Sequence, residues 1–394
     1  MTVKYDPNAN IFVILTQSLC HASVWPRVLP FCIFNVSTTI IVWYCKVYLD
    51  IDVTIPDQGH KYMVALVSFL LVTRSSNSVA EYKSSKGLLG SFLKACIDFA
   101  HYVHSFTRGD QSKSAKEYRM EIFRKLILLI LSITYILEYD EYDTHPWEIP
   151  ELSVDERLFF EKAACGIQER CPMIMSLNIR SDISDHEDFL KKKSLSVNKE
   201  LKLMAQVDNI VHAFNGIFAL RNYQYPFPLA QMGRTFVFVW AFTLPFVIVQ
   251  DISNIYAACC ALFLMTYGFI GIELVSIELD DPFGDDPNDL DVMVMAQAVC
   301  EDLYLILQDV DGQDTVRKLK YCLGTGKPVV MSPRNKNVPF INPAAIANPQ
   351  GIVYSSYLGA SIMSTEDSAK SSNTTKSSNT FEYFSEYDSL LVTH

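Results

Sequence analysis

Hydrophobic positions fall in long blocks along this chain. Residues 28–49 (VLPFCIFNVSTTIIVWYCKVYL) carry one charge, Lys46, near the end of the block, and residues 62–73 (YMVALVSFLLVT) carry none. Residues 235–277 hold only Asp251 and Glu273. A helix needs about 20 apolar residues to cross a bilayer, so the last block predicts two crossings joined near Gln250–Asn254. Four membrane segments are expected, near 28–49, 60–76, 235–250 and 254–277. The second is expected to leave the membrane near Arg74 and to continue as a helix, whole or broken. Its apolar residues recur at helical spacing through Leu88, Leu89, Phe92, Leu93 and Cys96.

Between the apolar blocks the pattern is amphipathic. Residues 1–24 read as a short amphipathic entry, and Pro56 and Gly59 mark a turn after the first segment. Residues 115–138 predict a strong helix whose apolar run, LILLILSITYIL at 126–137, is short for a crossing. A spanning helix and a helix buried outside the membrane both fit. Segments 153–171 and 195–222 read as helices, the second broken at Asn222–Pro228. Residues 289–309 read as another, with Asp289 at the N-cap and Asp291 favouring the positive end of its dipole. From 331 the pattern dissolves. Residues 361–380 hold eleven Ser/Thr, and KSSNT occurs at 370–374 and again at 376–380. The expected organisation is a channel-sized domain over 1–330 and a disordered tail over 331–394.

Composition alone does not decide the class, since soluble domains also reach 49% hydrophobic residues. Charge placement adds orientation. Lys and Arg gather at 106–126 and 191–202, and the connectors at 49–60 and Gln250–Asn254 have none. By the positive-inside rule both basic regions, and with them both termini, lie on the cytoplasmic side. The first segment starts too late for a signal peptide and no presequence is visible. The plasma membrane is the first expectation, a plastid, thylakoid or other internal membrane the second. No basic stripe stands clear of acids, which argues against nucleic acid. Ten cysteines without a C-x₂-C pair read as buried free thiols rather than zinc or iron–sulfur ligands.

The net charge of −11 comes largely from 138–151 and from ELDDPFGDDPNDLD at 278–291, which puts seven carboxylates in fourteen positions. No EF-hand register fits it. As an aspartate-rich Mg²⁺–diphosphate motif of a membrane prenyltransferase it fares poorly. Pro282, Gly284 and Pro287 break any helix, and no second aspartate motif lies in a membrane segment. As a capping turn, Pro282-Phe283-Gly284 reverses the chain, Phe283 anchors it and Asp289 caps the next helix. Repulsion among the carboxylates would also favour a bound cation. Asp98, His101 and His104 share one helix face, as a metal set or as packing residues.

Several stretches resemble the bestrophins. MTVKY is similar to the animal N-terminus, and LLVTRSSNS (70–78) with KGLLG (86–90) to the family's apolar run ending in arginine and small polar residues. YPFPLAQ (225–231) is similar to the break before the third membrane pass, and ELDDPFGDDPNDLD to the family's acidic signature after the fourth. Together they span about 1–320. The resemblance implies an all-α membrane protein with four transmembrane helices plus cytoplasmic helices (80–222 and 289–325), assembled as a homopentamer in the lipid bilayer. A central pore would pass chloride and other small anions such as bicarbonate or nitrate, without catalysis.

Counting back from Arg74, the resemblance puts the hydrophobic neck of that pore at Gln58, Tyr62 and Leu66, or at Met63, Leu66 and Leu70 if the register shifts. An inner aperture is placed at Phe227. Arg74 is a membrane-edge charge that attracts anions or pairs with a carboxylate. A calcium clasp transfers to Glu278, Asp281, Asp286 and Asp289, although DPNDL resembles the bacterial and plastid branch, where calcium gating is not expected. Glu81-Tyr82-Lys83 departs from the Arg and Trp-rich pattern. No pore-lining Lys/Arg ring is evident, so anion selectivity is expected from helix N-termini and apolar ring edges. The alternatives are the metal-dependent diphosphate transferase and a non-conducting membrane scaffold.

Overall fold

A computed structural model describes residues 24–138, 145–190, 195–222, 225–283 and 288–325, all within one compact unit. Among these residues there are helices and no strands. Four helices are long and apolar enough to cross a membrane: α1 (Trp25–Tyr48), α2 (Gln58–Thr107), α7 (Phe227–Asp251) and α8 (Ile255–Asp280). The remaining helices are α3 (Lys113–Glu138), α4 (Val154–Ala164), α5 (Arg170–Ser184), α6 (Val197–Asn222), α9 (Val292–Asp311) and α10 (Gln313–Thr325), with a 3₁₀ turn at Asp185–Asp188. The chain is an integral multi-pass membrane protein.

The spans begin where their sequences allow. Pro26 sits in the first turn of α1, where its missing N–H costs nothing. Asn254 caps α8 by accepting from the Tyr256 N–H at 3.0 Å. Contacts at the two ends set the antiparallel order. Distal to the helical body, the Ile55 N–H donates to the Phe246 carbonyl (3.1 Å) and His60 Nε2 lies 2.9 Å from Thr243 Oγ1. At the body end, Arg27 of α1 meets Glu278 of α8 and Arg74 of α2 meets Asp280 of α8. Midway, the Asn35 amide of α1 donates to Thr266 Oγ1 of α8 (2.9 Å) and to the Ala241 carbonyl of α7 (3.2 Å). Apolar packing between helices gains little in lipid, so such polar ties set the arrangement of the spans.

Two separate apolar cores result. The membrane core includes Val67, Leu71, Trp240, Leu244, Leu262 and Ile270. The larger core lies in the body and begins on α2 at Leu89. Helix α2 is therefore one unbroken helix of 50 residues that enters both cores. Helix α3 settles the open question over 115–138. It is buried along most of its length in the body core and is not a candidate span. Its Arg119 is fully buried and donates through Nε and Nη2 to the Asp311 carboxylate at 2.8 and 2.6 Å, with Nη1 on the Thr107 and Asp110 carbonyls. Its Arg124 is held by Glu121 and Glu156.

Three boundaries differ from expectation. The helix expected over 153–171 is two helices, because Cys165 and Gly166 adopt positive φ (53° and 75°) and end α4. Helix α5 then begins at Arg170, inside the expected range, and runs past its end to Ser184. The last expected helix starts at Val292 rather than 289 and is followed by α10. The Ser/Thr tail from 331 and the entry at 1–23 lie outside the described residues.

Candidate functional site

Helix α2 presents one continuous exposed face. Gln58, Tyr62 and Leu66 lie on it at one-turn spacing, followed by Phe69 and Thr73. Tyr62 is 82% exposed and Phe69 68%, although both lie in a membrane span. Met63, from the alternative neck register, packs against the membrane core instead. A slip of one residue moves a helix face by about 100°, so the two registers point in different directions. Gln58, Tyr62 and Leu66 therefore share a free face, while Met63 does not. Phe227 opens α7, a different helix from α2, and is 73% exposed.

Arg74 lies on the opposite, buried side of α2. Its guanidinium pairs with the Asp280 carboxylate through Nη2, and Ser78 Oγ lies 2.8 Å from the other Asp280 oxygen. Its Nε is 4.0 Å from Glu273 Oε1, which also accepts from Arg234 Nε at 3.1 Å. The Tyr225 ring covers the guanidinium, 4.5 Å from ring centroid to Arg74 Cζ, a distance suited to cation–π attraction. Arg74 thus joins α2, α8 and the residue just before α7. Asp280, its principal partner, was not among the residues singled out in the acidic stretch. The missed signal was an unmatched arginine in an apolar run, which needs a carboxylate at the same depth.

The acidic stretch is a junction between α8 and α9. The Leu290 N–H donates to the Pro282 carbonyl (2.9 Å), closing the turn, and Phe283 is buried in the body core. Asp291 is the N-cap of α9, accepting from the Val294 N–H at 3.1 Å. This corrects the expectation that Asp289 caps the helix. Asp289 is buried two residues earlier, and Asp281 is exposed. Glu278 has both oxygens engaged, Oε2 by Arg27 Nη1 at 3.2 Å and Oε1 by the Asn288 amide. Tyr82 Oη donates to the Asn288 carbonyl (3.2 Å), tying the turn to α2.

Of the expected calcium ligands, Asp286 lies outside the described residues. The other three do not converge. Among the described residues no group of three His, Cys, Asp or Glu side chains is placed to hold a metal ion. The same holds for Asp98, His101 and His104, where His104 Nε2 instead lies 2.9 Å from Asp309 Oδ2 of α9.

The family described as bacterial/fungal bestrophin protein matches residues 1–304. The chain belongs to the bestrophin family. Solved bacterial bestrophin homologues from Klebsiella pneumoniae share its fold. One, solved by zinc phasing, has a TM-score of 0.61 at 19% identity, covering 71% of this chain and 98% of its own. A second, carrying the mutation L177T, also has a TM-score of 0.61 at 19% identity, covering 73% of this chain and 100% of its own. No curated protein matches the chain. Bestrophins are known as anion channels.

Proposed function

We propose that the protein is a homopentameric channel for chloride and other small monovalent anions, with α2 lining a central pore. The observation that carries this reading is the free face of α2. A single subunit leaves Tyr62, Leu66 and Phe69 uncovered on the helix that runs through both cores. Copies of α2 arranged around an axis give these residues a shared purpose, as apolar rings that anions must pass after partial dehydration. Among the described carboxylates of the acidic stretch, Asp280 and Glu278 are held by Arg74 and Arg27 and Asp291 serves as a cap, which favours the channel over a diphosphate transferase.

Calcium regulation is a separate part of the proposal. Calcium binding by Glu278, Asp281, Asp286 and Asp289 would require the Glu278 carboxylate to exchange Arg27 and Asn288 for the ion. Purified protein in planar bilayers tests both parts. Absence of anion current with calcium present and with calcium chelated sinks the channel. Identical currents in both conditions remove calcium and leave the channel standing. Native mass spectrometry in detergent tests the assembly, and any stoichiometry other than five overturns the pentamer.

A further inference from the structure

The free face of α2 continues beyond the membrane. Past Arg74, the exposed positions on this face include Ser76, Lys83, Gly87, Ser91 and Lys94, at three-, four- and seven-residue steps that keep one helix face. Lys94 follows Gln58 by about ten turns and so points the same way, while Lys83 is displaced from that line by only about 20°. A third lysine, Lys86, is turned about 80° to the flank. The two aligned lysines therefore stand on the extension of the line that carries Gln58, Phe69 and Thr73.

This face is also free of exposed carboxylates from Gln58 to Lys94. The acids of α2 are Glu81, half-buried on the other side, and Asp98, half-buried a turn beyond Lys94. Among the described residues neither Lys83 nor Lys94 forms an ion pair, in a chain with 44 acids against 33 basic residues. Unpaired lysines on an acid-free face hold a positive potential that ion pairing elsewhere in the molecule cancels. Small neighbours (Ser84, Gly87, Ser91) leave space in front of them.

We propose that Lys83 and Lys94 form two cationic rings lining the inner vestibule of the pore, and that they concentrate small anions ahead of the neck. This rests on the reading of α2 as the pore helix, and it replaces the expectation that no basic ring lines the pathway. The rings lie about three turns, roughly 16 Å, apart along α2, so their fields overlap only at salt well below 0.1 M. Their attraction acts over a Debye length, about 10 Å at 0.1 M salt and about 3 Å at 1 M.

Single-channel recording of the full chain in neutral-lipid bilayers tests this. In 30 mM chloride, K83Q/K94Q is expected to lower conductance about two- to five-fold for anions entering from the body side, with the difference closing at 1 M. K83R/K94R should retain wild-type conductance, and K86Q should stay close to it. Native mass spectrometry of each variant confirms equal assembly. Unchanged conductance in K83Q/K94Q at low salt overturns the proposal, as does an equal loss in K86Q or in K83R/K94R. A loss seen only when anionic lipid is present assigns the lysines to headgroup phosphates and overturns it too. A wild-type protein that passes no anion current overturns the channel reading itself, and this inference with it.

Discussion

Arg74 and Asp280, separated by 206 positions in sequence, form an ion pair where α2 and α8 leave the membrane. Arg74 is almost fully buried and has Glu273, Ser78 and Tyr225 around it. Removing one member of such a pair leaves a charge without compensation. Arg74→Ala is expected to cost about 3–5 kcal/mol, read as a loss of thermal stability in detergent. Arg74→Lys keeps the charge but gives up the planar stacking on Tyr225, and should fall between wild type and alanine. Wild-type stability in Arg74→Ala would show that the pair holds nothing.

The fully buried Arg119–Asp311 pair ties α3 to the end of α9. Asp311→Ala is expected to destabilise the body by about 3–5 kcal/mol, while replacing both partners with apolar residues of similar volume should be far milder. Hydrogen exchange over α3 and α9 reads this directly. Equal damage from the single and double changes would contradict it.

Glu156 supplies a pH dependence with a definite sign. Burial pushes its carboxyl up, but the Arg124 guanidinium and the bonds from Ser153 carry it below the ordinary glutamate value. A carboxyl whose folded pKa is depressed stabilises the fold above its unfolded value, about 4.3, and loses that contribution as pH falls through the folded pKa. Glu156→Gln should therefore cost most at neutral pH, and its gap from wild type should narrow below about pH 4. A gap that widens on acidification would reverse the assignment.

The α9 cap gives a smaller effect. Asp291→Ala is expected to cost about 1 kcal/mol, and Asp281→Ala, at an exposed site, close to nothing. Melting curves of the two variants decide between them, and equal losses would remove the cap from Asp291.

At Tyr62 stability and conduction should separate. Tyr62→Ala uncovers no core residue, so thermal stability should stay within about 0.5 kcal/mol of wild type. Conductance or anion preference should change if the ring narrows the pore. A stability loss without any change in current would place Tyr62 in packing.

The four spans were legible because a bilayer imposes a length and a composition that few other environments demand. Helix α3 was not, since its apolar run is as greasy as a short span. What keeps it out of the membrane is the burial of Arg119 and Arg124 against carboxylates that sit far away in the chain. The acidic stretch was readable as a junction but not in detail. Two aspartates compete for the cap, and the Pro282–Leu290 bond hands it to Asp291. Gly166 was the available sign that the helix expected over 153–171 should stop, and Cys165 entering the left-handed region ahead of it gave none. The role of Glu278 depends on Arg27, which sequence spacing could not bring to it.

Helix α2 contains no proline and runs without interruption from the far side of the membrane into the middle of the body. At about 1.5 Å per residue it is a beam roughly 75 Å long. Rigid rotation of such a beam by about 5° at one end carries the other by about 6 Å. The membrane and body stretches of α2 then have no joint between them. Whatever moves α6 or α9 against the body end of α2 is felt at Tyr62, and a change of bilayer thickness is felt at Lys94.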